Sequence, residues 1–206
     1  MTPAPTPNPA APTTPVPVVT LVCTANICRS AMAKVLLERE LGNRAVVRSA
    51  GTWPNDLRPP YEAISLMEQR GLNLVGHRSQ VITEEMVRES ALLIAMERAH
   101  VAHVVSLVPE AFSRTFTLPD LVRRAEAIGR RGPRRPLDEW LRYVHGDRTA
   151  RQVLSSTGVL GLTGAPSDRN ADEIADPYGH SREAFEQCAA DLEVLLARFV
   201  AVAFPS

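Results

Sequence analysis

Val22-Cys23-Thr24-Ala25-Asn26-Ile27-Cys28-Arg29-Ser30 joins two stretches of different periodicity. Before it, Val18-Val19-Thr20-Leu21-Val22 is a short apolar, β-branched run after Pro17, which predicts a buried strand. After it, residues 29–41 carry Met32, Val35, Leu36 and Leu37 at helical spacing, which predicts a helix. A cysteine at the end of a strand, five residues of turn and an arginine opening a helix have a definite electrostatic consequence. Backbone N–H groups of a tight loop running into a helix N-terminus converge on one point and favour an anion there. A cysteine in that field is favoured as thiolate, the nucleophilic form. Arg29 adds a planar fork of donors for two oxygens of a tetrahedral oxyanion. Ser30 is placed to donate a hydrogen bond to the sulfur. Residues 24–28 supply the loop itself, so Thr24, Ala25, Asn26, Ile27, Cys28 and Ser30 are the expected anion-binding residues around Cys23 and Arg29.

Outward from this loop, further strands are predicted at 45–47, 92–95 and 114–118, and helices at 61–70, 97–107, 119–130 and 181–202. A short helix is also expected at 140–144, inside an otherwise loop-like stretch from 130 to 175. Strands alternating with helices imply βαβ units. The expected fold is three-layer α/β/α, with a central four-stranded parallel sheet and a phosphate-binding loop after the first strand.

Composition narrows the function. The chain has 206 residues with 23 basic against 23 acidic side chains, so it lacks the basic excess of a dedicated nucleic-acid binder. Three cysteines do not build a disulfide scaffold and point to a reducing, cytoplasmic setting. No stretch approaches the ~20 apolar residues of a membrane span. Seven prolines fall in residues 1–17, a run that can form neither helix nor paired strand and lacks the features of a secretory signal. It reads as a disordered tail preceding one domain over 18–206. Six arginines stand between Arg123 and Arg135 against the single acid Glu126, within an enlarged segment of about 123–170. They read as a solvated surface, with a partner or anion patch as the alternative. Cys23 and Cys28 have a metal-like C-x4-C spacing, but no Cys/His pair stands near to complete a zinc site, and neither metal nor cofactor is expected. Composition does not set the oligomeric state.

Cys23 to Ser30 resembles the C-x-G-N-x-C-R-S loop of the low-molecular-weight protein tyrosine phosphatases, at the N-terminal end of the chain as in that family. Further similarities follow in the family's order. Ser49-Ala50-Gly51-Thr52 resembles its S-A-G-T, which ends the second strand, and Gly76-His77-Arg78-Ser79-Gln80 its H-x-A-R-Q. Ile94-Ala95-Met96-Glu97 resembles L-x-M-D/E, and Ala175-Asp176-Pro177-Tyr178-Gly179 its D-P-Y/F/W-x-G acid loop before the last helix. Ala25 stands where the family has glycine. Asn26 beside it tolerates left-handed backbone, so the loop forms if Ala25 keeps negative φ. Ala31 replaces a proline, Pro59-Pro60 stands about where relatives have Asp-Pro, and Lys34 replaces an acid.

The resemblance implies a metal-independent phosphatase acting on phosphotyrosine in proteins, with a bacterial tyrosine kinase among the candidate partners. It implies Cys23 as nucleophile, Arg29 as phosphate clamp and Asp176 as general acid. Trp53 and Tyr178 are the expected walls of an aromatic slot. Two alternatives stay open: a thiol-dependent arsenate reductase on the same fold, and a catalytically idle phospho-binding protein. The first needs further reactive cysteines, and none lies between Cys28 and Cys188.

Overall fold

Val18–Cys23 (β1), Val46–Gly51 (β2), Leu92–Ala95 (β3) and Thr115–Thr117 (β4) pair in parallel, in the order β2-β1-β3-β4. The structure is a computed structural model and describes residues 16–53, 56–151 and 172–205. The proline-rich run through residue 15 and the 152–170 part of the arginine-containing segment lie outside the described residues. Parallel strands with both faces covered read as continuous apolar runs, and the chain follows this rule. In β1, Val19, Leu21 and Cys23 face one core while Val22 faces a second, as the two-residue period of a strand requires.

The first core is closed by Arg29–Leu41 (α1), Tyr61–Glu68 (α2), Leu118–Ile128 (α5), Leu137–His145 (α6) and Arg182–Ala203 (α7). The second is closed by Glu84–Glu89 (α3), Arg98–Leu107 (α4) and a 3-10 turn at Pro109–Arg114. Helices therefore lie on both faces, giving the three-layer α/β/α architecture. Strand order turns back between β1 and β3, and the loop after β1 opens at that switch point, where α/β sheets bind ligands.

Three local features go beyond the periodicity reading. The second strand runs past 47 to Gly51, within the segment the family resemblance places at its end: Ser49, Ala50 and Gly51 pair with Leu21, Val22 and Cys23 despite their weak strand propensity. Helix α3 lacks an apolar stripe and buries Val87, its start fixed by Thr83 Oγ1 accepting from Met86 N–H at 3.2 Å. Helix α6 is longer than the expected 140–144, and buries Leu137, Trp140, Leu141 and Val144.

The arginines between 123 and 135 lie at the surface, as expected, and five of the six make specific contacts. Arg130 and Arg131 donate to Ala201 and Ala203 carbonyls at the end of α7, at 3.2 and 2.6 Å. Arg135 stacks on Tyr143, and Arg123 and Arg124 grip Asp120. These side chains supply donors to carbonyls a helix terminus leaves open and charge to a buried acid.

Candidate active site

The turn after β1 is held by Asn26, which is fully buried and has φ of 55°, the one positive-φ non-glycine residue described. Its side chain braces the loop from behind. Nδ2 donates to Ser30 Oγ and Ser49 Oγ, both at 2.9 Å, and Oδ1 accepts from Gln80 N–H at 3.1 Å. Its carbonyl meets His77 Nε2 at 2.7 Å. Burial lowers the His77 pKa against that hydrogen bond, so the ring stays neutral and donates.

Cys23 Sγ is 2.9 Å from Ser30 Oγ and accepts from Asn26 N–H at 3.2 Å. Ser30 Oγ already accepts from Asn26, so its own hydrogen is free to point at the sulfur. The three cysteines are free. Burial, with Asp176 and Cys23 nearby, pushes the Cys28 thiol up, and burial pushes Cys188 up to about 12. Neither competes as a thiolate near neutral pH.

Arg29 opens α1 with a side chain 2% exposed. Nη1 pairs with Glu97 and donates to the Ile174 carbonyl at 3.1 Å. Nη2 pairs with Asp176 Oδ2 at 2.5 Å and lies 3.5 Å from Thr24 Oγ1. Burial opposes the cation, but Glu97, Asp176 and Cys23 outweigh it and raise the pKa. Sequence reasoning quoted Glu97 only as part of a motif. Its position at the junction of β3 and α4 gives it this role, and nothing local in sequence announces the pairing.

His100, on the first turn of α4, was also missed. Its Nδ1 accepts Glu97 N–H at 3.1 Å, which leaves the proton on Nε2 to donate to Thr24 Oγ1 at 2.9 Å. Burial drives its pKa down to about 4, so it is neutral.

A cavity of about 200 Å³ opens over the sulfur, lined by Cys23, Thr24, Ala25, Ile27, Cys28, Arg29, Leu57, Asp176 and Tyr178. Asp176 Oδ1 accepts Tyr178 N–H at 3.1 Å, an Asx-type turn that fixes the acid's loop. Asn26 and Ser30 sit behind the loop instead of on the cavity. Trp53 does not line it either: it is 67% exposed. Backbone N–H groups of Thr52 and Trp53 bond the Thr24 carbonyl, which turns this segment along the loop's back. Leu57, which sequence reasoning did not single out, takes the place on the wall expected of Trp53.

Comparisons with known proteins agree with this geometry. The family profile "Low molecular weight phosphotyrosine protein phosphatase" matches residues 18–131. The chain is 31% identical over 129 residues to the low molecular weight protein-tyrosine-phosphatase Etp of Escherichia coli K12, covering 62% of this chain and 84% of that protein. It is 36% identical over 110 residues to the protein-arginine-phosphatase of Bacillus subtilis, covering 50% and 71%. The crystal structure of the Erwinia amylovora tyrosine phosphatase amsI superposes with a TM-score of 0.64 at 25% identity, over 92% of this chain and 94% of that one. A cysteine and arginine joined by an anion-shaped loop, an aspartate brought onto that arginine, and more than half the chain matching one profile lead to one assignment. The chain belongs to the low molecular weight phosphotyrosine protein phosphatase family.

Proposed function

We propose that the chain hydrolyses phosphotyrosine in proteins through a phosphoryl group carried on Cys23. The observation that carries this reading is the convergence of Cys23, Arg29 and Asp176 on one small cavity. Cys23 Sγ attacks phosphorus, forming an S–P bond as the aryl P–O bond breaks. Tyrosine leaves with a conjugate acid of pKa ~10, so its oxygen takes the proton of Asp176 as it departs. Water then gives a proton to the Asp176 carboxylate and attacks phosphorus. The S–P bond breaks, the thiolate returns to its two donors and inorganic phosphate leaves. Arg29 and the loop N–H groups meet the charge on the phosphoryl oxygens. Asp176 Oδ2 pairs with the Nη2 of Arg29, a place that a phosphoryl oxygen takes on binding, releasing the acid toward the leaving group.

The wall favours an aryl ester. Ala25, Ile27, Leu57 and Tyr178 present carbon, and Asp176 is the only carboxylate among the lining residues, which suits a ring better than a guanidinium. A phosphotyrosyl protein such as a bacterial tyrosine kinase, met in the cytoplasm, is the substrate class that fits.

Turnover of a phosphotyrosyl peptide, a phosphoarginyl peptide and an aryl phosphate, by the unaltered chain and Cys23→Ser, tests the reading. Cys23-dependent release of phosphate is expected from the first and third. Preference for the phosphoarginyl peptide overturns the substrate class. Turnover that survives Cys23→Ser overturns the mechanism.

A further inference from the structure

The segment bearing Asp176 is fixed to the rest of the molecule at its root. Asp172 is gripped at both carboxylate oxygens: Oδ1 by Arg123 Nη1 of α5 at 2.5 Å, Oδ2 by Arg98 Nη2 of α4 at 2.8 Å. Glu173 Oε1 accepts Arg98 N–H at 3.1 Å. Ile174 is buried, with its N–H on the Met96 carbonyl at 2.8 Å and its own carbonyl on Arg29. Three consecutive residues are thus tied to α5, to the start of α4 and to the end of β3, and two residues later Asp176 meets Arg29.

The grip is well supported. The Asp172 side chain is 16% exposed, so solvent screens the pair less than it screens a surface ion pair. Burial opposes its charge, but hydrogen bonds from Arg123 and Arg98 outweigh it and hold its carboxyl below the usual range. Arg123 is oriented in turn by Asp120 Oδ1 at 2.6 Å, which also takes Arg124 Nε at 2.8 Å. Arg98 directly follows Glu97, the residue paired with Arg29, so clamp and acid segment share one turn of chain. Arg98, Asp120, Arg123 and Asp172 line a separate polar cavity of about 400 Å³, and none of them lines the one over Cys23.

We propose that Asp172, held by Arg98 and Arg123, is a positioning residue for the general acid: it sets where the 174–178 segment meets the site. The inference rests on the reading of Asp176 as that acid. Without the grip, only the Glu173 and Ile174 hydrogen bonds described above tie the segment near its root, and a misplacement of ~1 Å at a reacting group costs about 100-fold.

The test is the rate of phosphoryl transfer to Cys23, read by rapid quench, from phenyl phosphate, whose leaving group needs a proton, and dinitrophenyl phosphate, whose leaving group does not. Asp172→Asn and Arg123→Ala are compared with the unaltered chain, with Arg123→Lys as a partial rescue. Arg123 is more than half exposed, so its replacement spares the core. The expected loss of that rate with phenyl phosphate is about 10–100-fold, with KM and the rate from dinitrophenyl phosphate each within about 2-fold; hydrolysis of the shared intermediate, which also uses Asp176, slows equally for both. Combining Asp172→Asn with Asp176→Asn adds no further loss, because the clamp acts through the acid. Equal loss on both esters, a loss confined to KM, or additive losses in the double variant overturn the proposal. Turnover of both esters by the unaltered chain separates the two claims: without it the phosphatase reading itself falls.

Discussion

Asn26 and His100 set the shape of the phosphate loop without lining the cavity above it. The left-handed tolerance of Asn26 is visible in its residue type, and the loop does place Asn26 at positive φ, leaving Ala25 outside that region. Its bracing contacts are not visible in sequence, because Ser49, His77 and Gln80 are brought to it only by the fold. His100 is likewise silent until Thr24 stands opposite its Nε2. Burial, helped by Arg29 and His103, disfavours its cation and outweighs Glu97, which favours it. With its pKa lowered from 6.5 to about 4, the unfolded chain takes up a proton first as pH falls. Stability is therefore complete above pH 6.5 and is lost as pH drops toward 4, by roughly 3 kcal/mol from this group. Chemical denaturation across that range should show the loss, and His100→Asn should flatten it. An unchanged slope in the variant would place the acid sensitivity elsewhere.

At the scale of elements, the strand–loop–helix unit was legible because periodicity switches at Cys23 and the helix begins at Arg29, as expected. The end of β2 was legible only through the family resemblance. Ser49-Ala50-Gly51 has little strand propensity and is held by pairing with β1. Gly51 shows why small residues stand there: a Cβ on it would lie 2.6 Å from the Thr24 carbonyl oxygen and 3.2 Å from Asn26 N. These are backbone atoms of the phosphate loop and cannot swing aside. Gly51→Ala should cost about 1–3 kcal/mol of stability by overpacking, together with a loss of turnover larger than Ala50→Gly produces. Calorimetry and kinetics on the two variants check this, and full activity in Gly51→Ala would mean the loop yields without harm. The sequence also left α6 too short. Its apolar positions 137, 140, 141 and 144 follow helical spacing, but surrounding glycine, proline and arginine obscured it.

Across the whole molecule, charge neutrality conceals organised pairs. Arginines that lie at the surface, as read, also cap α7, hold Asp120 and grip Asp172, so α5 ties the acid segment to the core and the stretch after it ties the last helix. That arrangement joins residues tens of positions apart, which no local pattern encodes. What sequence did point to was Cys23 with Arg29 and, through the family resemblance, Asp176 before α7, and the structure brings Asp176 within 2.5 Å of Arg29. In the proposed mechanism Cys23 carries the phosphoryl group and Asp176 moves the proton in both steps. Asp176→Asn should still form the S–P bond with dinitrophenyl phosphate, whose leaving group needs no acid, yet hydrolyse it slowly for want of a base. Rapid quench and mass spectrometry of that reaction should find a phosphoryl group accumulating on Cys23, with none on Cys28 or Cys188. Turnover with no adduct, or an adduct on another residue, would contradict the claim.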